Sequence, residues 1–276
     1  MTASVSHTAY LLGDTEAEHE RLVRQASVLE PLTERVFLDA GIGPGSRVLE
    51  IGSGAGDVAM LAAKVVGSSG AVVGVEREAT TIAKARARVA AAGLSNVSFV
   101  HGDVAGVESA ETFDAVVGRL ILEYIPHPGK STLRSLSALL RPGGLMVFQD
   151  ACWGPLLQLS AHLPLRSRCA SLIYRAFELS GAHVNMELVL YRAIQESGLP
   201  VPNMRIEVPV GKEPSIVHWV YDIFCTLLPR MPSDELKDKE IGDLETLKSR
   251  LEAERVAANS FGACVGLVSA WSRKPE

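Results

Sequence analysis

The sequence has no long hydrophobic run, few cysteines and no cluster of basic residues. No segment reaches the roughly 18 uninterrupted apolar residues of a membrane-spanning helix, so no membrane span is expected. The net charge is −5, with 27 Lys and Arg against 32 Asp and Glu, which argues against a nucleic-acid-binding surface. The first residues lack the basic and apolar regions of a secretory signal. These absences predict a cytoplasmic protein without a nucleic-acid partner.

Cysteine and histidine are too scattered to form a metal site or a redox motif. The four cysteines are far apart and form no C-x-x-C pair, and no His/Cys cluster has metal-ligand spacing. We therefore expect reduced, mostly buried thiols in a cytosolic protein. The residues concerned are Cys152, Cys169, Cys225 and Cys264.

The most informative segment is VLEIGSGAGD, residues 48–57. A short apolar strand leads into a glycine-rich turn, and a helix follows. Glycine adopts positive φ without a Cβ clash and lets the backbone approach a ligand closely. The following helix presents its N-terminal N–H groups to that ligand. The segment predicts a site for a nucleotide-type cofactor at Gly52, Ser53, Gly54 and Gly56, in preference to a tight turn without a ligand.

The spacing of these glycines bears on which cofactor binds. A dinucleotide fingerprint has the spacing G-x-G-x-x-G, whereas this chain has G-x-G-x-G. Glu50 lies two residues before the first glycine, where a carboxylate repels a pyrophosphate and suits a cationic cofactor.

Five apolar segments between residues 47 and 150 alternate with helical segments, which predicts a parallel sheet with helices on both faces. Ligands of such sheets bind at the carboxyl ends of the strands. Glu76 ends the second strand, where an acid can accept hydrogen bonds from ribose hydroxyls. The polar or loop residues expected at these ends are Glu76, Gly102, Asp103, Val104, Arg119 and Asp150.

The pattern changes outside this core. Residues 10–40 are predicted to be helical, with Pro31 dividing them into two helices, and residues 1–46 are expected to form a lid. Residues 204–210 and 262–271 are predicted as strands six and seven. Segments at about 151–186 and 211–259 are predicted as helical insertions rich in large apolar residues, which cap the cofactor-binding edge.

The segment Glu-x-Gly-x-Gly-x-Gly at 50–56 resembles motif I of the class I S-adenosylmethionine (SAM) methyltransferases. Glu76, the segment 102–104 and the turn 140–144 are similar to further motifs of that family, so the resemblance covers residues 47–150. It implies an α/β fold, a seven-stranded Rossmann-like methyltransferase sheet whose helical insertions form a substrate cap. The small-molecule branch related to quinone and sterol methyltransferases fits best.

The resemblance also implies a cofactor, S-adenosyl-L-methionine, and residues that bind it. Similar enzymes use an N-terminal helix as a lid, and on this helix Tyr10 and Gln25 are placed to contact the methionine end; a solvated surface helix is the alternative. Metal-dependent relatives have carboxylates where this chain has Arg119, so no metal is expected. The expected cofactor-binding residues are Tyr10, Gln25, Glu50, Gly52, Ser53, Gly54, Gly56, Glu76, Arg77, Gly102, Asp103, Val104 and Arg119.

Methyl transfer needs alignment of the acceptor and, for some acceptors, a base that removes a proton. The candidate bases include His183 and His218 in the two insertions, Asp150 at the end of strand five, and Glu123. A purely structural role is the alternative for each histidine, a helix cap is the alternative for Asp150, and many enzymes of this branch rely mostly on proximity.

These observations predict a SAM-dependent methyltransferase acting on a small, largely apolar molecule, such as a natural-product or a quinone- or isoprenoid-like acceptor. One alternative is a protein of this fold that uses the cofactor without methyl transfer, for example in a cyclisation. An NAD-dependent oxidoreductase is another, because Glu76 suits an NAD ribose equally well. The apolar insertions are also compatible with a homodimer surface.

Overall fold

The computed structural model describes residues 16–107, 109–230 and 241–276. The strands in this part of the chain are β1 (Arg47–Ile51), β2 (Ala71–Glu76), β3 (Val97–His101), β4 (Phe113–Arg119), β5 (Leu140–Cys152), β6 (Asn203–Glu207), β7 (Val210–Gly211), β8 (Gly262–Ala263) and β9 (Gly266–Arg273). The α-helices are α1 (Glu16–Ala40), α2 (Asp57–Val66), α3 (Ala79–Ala91), α4 (Arg134–Ala138), α5 (Trp153–Ser160), α6 (Pro164–Leu179), α7 (Met186–Glu196), α8 (Pro214–Val217), α9 (Trp219–Leu227) and α10 (Leu247–Ala257).

Seven strands form the central sheet, in the order β3-β2-β1-β4-β5-β9-β6. Strands β1 to β5 are parallel, with Val48 opposite Val72 on one side and Ala115 on the other. Strand β9 is antiparallel to both β5 and β6. The expected α/β class and seven-stranded Rossmann-like sheet are thus confirmed, and the carboxyl ends of β1 to β5 share one edge.

Apolar side chains bury both faces of the sheet. Helices α1, α2 and α3 pack on one face, and α4 and α7 pack on the other. A third apolar cluster joins α5, α6, α9 and α10, the helices of the two segments that interrupt the alternating pattern. This cluster includes Trp153 and Trp219, and it continues from the end of β5.

The prediction of a break at Pro31 is wrong, because α1 is continuous from Glu16 to Ala40. Proline removes the hydrogen bond that would reach the carbonyl of Ser27. Both residues are exposed, so water can replace that bond. Leu29 and Phe37 are buried on either side of the proline, and their packing keeps one helix axis.

The last strands also differ from the predicted boundaries. Strand β6 ends at Glu207, and β7 and β8 pair in a separate two-stranded sheet before β9 begins at Gly266. Pro209 lies between β6 and β7 and has no N–H to donate to a ladder, so the predicted strand is interrupted there. The carbonyl of Pro209 instead accepts a hydrogen bond from the N–H of Cys264 over 3.0 Å.

No helix in the described ranges has the length and apolar character that crossing a membrane requires.

Candidate active site

The glycine turn between β1 and α2 has the backbone that its sequence predicts. Gly52, Gly54 and Gly56 have φ angles of 70°, 50° and 85°, which side chains disfavour. A Cβ on Gly52 would lie 2.8 Å from the Ile121 side chain. Gly56 faces Phe99 and Ala85, so it serves close packing of the turn and does not line the cavity described below. Gly52 and Gly54 do line it, together with Ser53.

Glu76 connects this turn to the end of β2. Its Oε2 accepts a hydrogen bond from the N–H of Gly54 at 2.9 Å, and its Oε1 accepts from the N–H groups of Arg77 and Glu78 at 2.9 and 3.1 Å. Three backbone donors therefore fix the carboxylate at the cavity wall. Arg77 lines the same wall.

Glu50 and Arg119 lie at the ends of the neighbouring strands β1 and β4. Burial raises the pKa of the Glu50 carboxyl well above its usual value, and the Arg119 guanidinium opposes this shift. Oε2 of Glu50 has no hydrogen-bond partner among the residues that the structure describes. Nη1 of Arg119 donates to Oγ1 of Thr33 on α1 at 3.0 Å, which ties that helix to the sheet edge.

Helix α1 contributes a buried polar group to the cavity. Arg21 donates to both carboxylate oxygens of Glu18, at 2.7 and 2.6 Å, and to Oε1 of Gln25 at 2.7 Å. All three side chains are buried and line the cavity, and the contact of Gln25 with the cofactor stays a prediction. Tyr10 lies outside the described residues.

The segment after β3 forms a further part of the cavity wall. Gly102, Asp103 and Val104 line the cavity, as predicted for the segment that follows this strand. The N–H of Gly102 donates to the carbonyl of Glu76 at 3.0 Å, which holds this segment beside the end of β2.

These elements surround one cavity of about 560 Å³. Beyond the polar part, it is lined by apolar and aromatic residues from the two inserted segments and from the ends of the strands. The ring centroid of Trp153 lies 4.9 Å from that of Phe177 and 6.1 Å from that of Trp219. We call this part the aromatic compartment, defined by Tyr124, Ala151, Trp153, Phe177, Trp219, Ile223 and Val265.

Two of the four candidate bases are acidic and lie next to each other at this compartment. Glu123 lines the cavity, and Asp150 is fully buried behind it without lining it. Burial raises the pKa of Glu123 to about 7. Burial also raises the pKa of Asp150 well above its usual value, and the charge of Glu123 adds to this effect.

The two histidines proposed as bases are located elsewhere, which corrects that expectation. The ring of His183 bonds the carbonyl of Ile125 at 3.1 Å, and its backbone N–H donates to the carbonyl of Glu123 at 2.8 Å. His218 ends the short helix α8, and burial lowers its pKa. Neither side chain lines the cavity. His183 lies in the loop between α6 and α7, and His218 lies in the turn between α8 and α9.

Sequence reasoning missed Glu18 and Asp57 as residues of the cavity wall. Glu18 lies three residues before Arg21, a helical spacing that places the two side chains together. Asp57 directly follows the glycine turn, and its Oδ1 accepts a hydrogen bond from Arg88 of α3 at 2.6 Å.

The residues of the polar part fit the cofactor that the motif implies. A Cβ on Gly54 would meet no described atom within 4 Å, so the turn leaves open space beside its backbone. The unpartnered oxygen of Glu50 and the fixed carboxylate of Glu76 provide acceptors for cationic and hydroxyl groups. A sulfonium compound that carries an amino group and a ribose matches these acceptors, whereas the oxygens of a pyrophosphate offer them no hydrogen-bond donor.

Comparison with known proteins agrees with this geometry. A family model described as a methyltransferase domain matches residues 42–196, more than half of the chain. An arsenite methyltransferase from Aquipseudomonas alcaligenes is 39% identical over 114 residues, which cover 38% of this chain and 33% of that protein. A 2-phytyl-1,4-naphthoquinone methyltransferase from Synechococcus elongatus is 36% identical over 110 residues, covering 39% of this chain and 46% of the relative.

The chain therefore spans about a third to a half of the length of these curated relatives. Among solved structures, a provisionally assigned methyltransferase from Bacillus halodurans superposes with a TM-score of 0.59 at 17% identity. That alignment covers 88% of this chain and 99% of the other, and at this identity it shows a common fold.

Proposed function

Because the chain belongs to the methyltransferase domain family, we propose that it transfers a methyl group from S-adenosyl-L-methionine to a small, largely apolar acceptor. The observation that supports the proposal is the continuity of one cavity. Its polar part lies at Gly54 and Glu76, and the same cavity extends to Trp153 and Trp219. A cofactor and an acceptor can thus lie in one enclosed space, which is what direct transfer requires.

Membership of this family confirms the resemblance to class I methyltransferases and S-adenosyl-L-methionine as the cofactor. When bound, this cofactor supplies an electrophilic methyl carbon. Family membership also favours methyl transfer over the alternative of an NAD-dependent oxidoreductase.

We assign the cofactor contacts to the polar part of the cavity. Glu76 accepts hydrogen bonds from the ribose hydroxyls, with its carboxylate held by the N–H of Gly54. Glu50 and Arg119 face the methionine end, where their opposite charges suit an ammonium and a carboxylate. Helix α1 closes this end as a lid, because Gln25 and Arg21 line the cavity from above the sheet edge.

The aromatic compartment supports an apolar acceptor. Aromatic rings from α5, α6 and α9 exclude water and hold a hydrophobic body in place. A quinone- or isoprenoid-like molecule or another natural product fits this chemistry, and the naphthoquinone in the name of the Synechococcus relative is such a ring compound. On this assignment the two inserted segments act as the substrate cap.

We also propose a cytoplasmic location. The four cysteines are free thiols, with Cys152, Cys169 and Cys264 buried, as expected in a reducing compartment. A homodimer and the absence of a nucleic-acid partner stay predictions.

Isothermal titration of the purified protein with S-adenosylhomocysteine, with NAD and NADP in parallel, tests the proposal. We expect micromolar binding of S-adenosylhomocysteine only. Glu76→Ala removes a charged hydrogen-bond acceptor and should weaken this binding by about 10- to 100-fold. Glu245→Ala, which removes an exposed carboxylate, should leave it unchanged.

Saturable binding of NAD without binding of S-adenosylhomocysteine would overturn the cofactor assignment. If S-adenosylhomocysteine binds and Glu76→Ala has the affinity of the unchanged protein, the ribose contact is misassigned. The acceptor is then sought by mass spectrometry, as a compound that gains one methyl group.

A further inference from the structure

An acidic pair, Glu123 and Asp150, lies at the aromatic compartment, and among the residues that the structure describes no cationic group acts on their pKa values. The Glu123 side chain is 3% exposed and Asp150 is 0% exposed. The groups that lower their pKa values are the Tyr124 hydroxyl for Glu123, and backbone N–H groups of residues 121–123 for Asp150. Within the described residues, Oε2 of Glu123 and Oδ2 of Asp150 accept no hydrogen bond. A buried carboxylate in this situation keeps a proton or takes a cation from a ligand.

Three aromatic rings line the cavity that Glu123 also lines. Trp153 is packed between Phe177 and Trp219, with ring centroids 4.9 and 6.1 Å away. All three rings line the same cavity as Glu123. The face of an aromatic ring carries negative electrostatic potential and attracts ammonium groups, most strongly where water is excluded. The acidic group and the aromatic rings thus both favour a positively charged ligand.

The basic residues of the cavity are on the cofactor side. Of the described residues that line it, Arg21, Arg77 and Arg119 carry positive charge. Arg21 binds Glu18, Arg77 lies 3.5 Å from Glu78, and Arg119 donates to Thr33. An acceptor with a carboxylate or a phosphate would be repelled by the charge of Glu123, and these arginines are already engaged with other residues.

We infer that the acceptor is an amine, bound as its ammonium between the Glu123 carboxylate and the rings of Trp153, Phe177 and Trp219. This inference rests on the proposed function, because it takes the amine as the methyl acceptor. Burial lowers the pKa of an ammonium, so its proton passes to a carboxylate oxygen of Glu123. The nitrogen then holds a free electron pair, which would form the new N–CH3 bond as the S–CH3 bond of the bound cofactor breaks and leaves its electron pair on sulfur. Glu123, now a neutral carboxylic acid, holds the proton that the amine gave up.

Two probes of nearly the same shape isolate the charge. Benzyltrimethylammonium is a cation, neopentylbenzene is its neutral counterpart, and neither has a site for methylation. Each is titrated at pH 8 into protein saturated with S-adenosylhomocysteine, and tryptophan fluorescence reports binding. We expect the cation to bind at least about tenfold more tightly than the neutral probe.

Glu123→Gln keeps the shape of the side chain and removes its charge. In this variant the preference for the cation should fall severalfold, since the ion pair is lost while the attraction of the aromatic rings remains. Glu178→Gln is the matched control, because Glu178 is an exposed acid of α6 that pairs with Arg175. It should keep the full preference.

Three results would overturn the inference: equal binding of the two probes, a preference that is undiminished in Glu123→Gln, or competition between the cation and S-adenosylhomocysteine. The last would assign Glu123 to the cofactor's own cation. If Glu123→Gln does not fold, Trp219→Leu provides the second variant. It should weaken the binding of the cation more than the binding of the neutral probe. A protein that binds no S-adenosylhomocysteine at all would instead refute the proposed function, which the titration without probes measures separately.

Discussion

The backbone N–H of Glu123 donates a hydrogen bond to Oδ1 of Asp150 over 3.2 Å, which holds two buried carboxyl groups side by side. Because the charge of Glu123 raises the pKa of Asp150, the two groups titrate as a pair. A chain segment after β4 and the end of β5 are joined at this point, where the cavity passes into the aromatic compartment.

This pair predicts how stability depends on pH. Burial raises the pKa of Glu123 from 4.5 to about 7, so the folded protein binds more protons than the unfolded chain between these values. The free energy of unfolding should therefore fall as the pH rises from about 4.5 to about 7. Urea titrations of the protein and of Glu123→Gln across this range measure the effect. The unfolding free energy of the unchanged protein, relative to that of Glu123→Gln, should fall as the pH rises. A relative free energy that stays constant or rises would contradict the shifted pKa.

The glycines of the turn should separate binding from stability. Gly56→Ala places a Cβ 3.1 Å from Phe99 and 3.3 Å from Ala85 at a positive φ. It should cost about 2–4 kcal/mol of unfolding free energy. In Gly54→Ala the new Cβ meets open space, so the variant should lose only about 1 kcal/mol of unfolding free energy through backbone strain. It should nevertheless bind S-adenosylhomocysteine about tenfold or more weakly. Urea denaturation and calorimetric titration of both variants test this, and equal effects on stability would contradict it.

Arg166 should stabilise the inserted segments. This buried side chain of α6 donates to the carbonyls of Val217 at 3.1 Å and of Ala263 at 2.5 Å, so it joins three parts of the chain. Arg166→Met leaves both carbonyls without that donor and should lower the unfolding free energy by about 3 kcal/mol. Arg175→Met removes an exposed ion pair of the same helix and should cost less than about 1 kcal/mol. Similar losses of unfolding free energy in the two variants would show that the buried hydrogen bonds of Arg166 add little to stability.

The cysteines should differ in their reaction with thiol reagents. Burial raises the pKa values of Cys152, Cys169 and Cys264 to about 12, and it also raises that of the half-buried Cys225. The thiolate is the reactive form, so at pH 8 Ellman's reagent should label Cys225 first and the others only as the protein unfolds. Cys225→Ser should abolish the first phase. If a fast phase of labelling persists in this variant, the prediction that Cys225 reacts before the buried cysteines is wrong.

Local patterns allowed much of the core to be predicted. The helix after the glycine turn and the strand that ends at Glu76 lie where the sequence predicts them, because the glycine turn and the acidic strand end mark them in the sequence. Their placement at one edge of the sheet follows from parallel topology alone.

Features that depend on tertiary contacts were not predicted. Packing of Phe37 and Leu29 overrides the local effect of Pro31. The ring of His183 is turned to the carbonyl of Ile125, which no local pattern in the chain indicates. The pairing of Glu123 with Asp150 joins residues 27 positions apart. Such contacts depend on how helices pack and on where a loop after a strand meets the next strand, so periodicity does not reveal them.

Four side chains of the aromatic compartment come from two separate stretches of the chain: Trp153 and Phe177 follow β5, and Trp219 and Ile223 follow β7. Neither stretch supplies the glycine turn or Glu76. Substitutions in the compartment can therefore accumulate under selection for a new acceptor while the cofactor half is preserved. This arrangement makes the chain a good starting point for directed evolution, with libraries confined to Trp153, Phe177, Trp219 and Ile223.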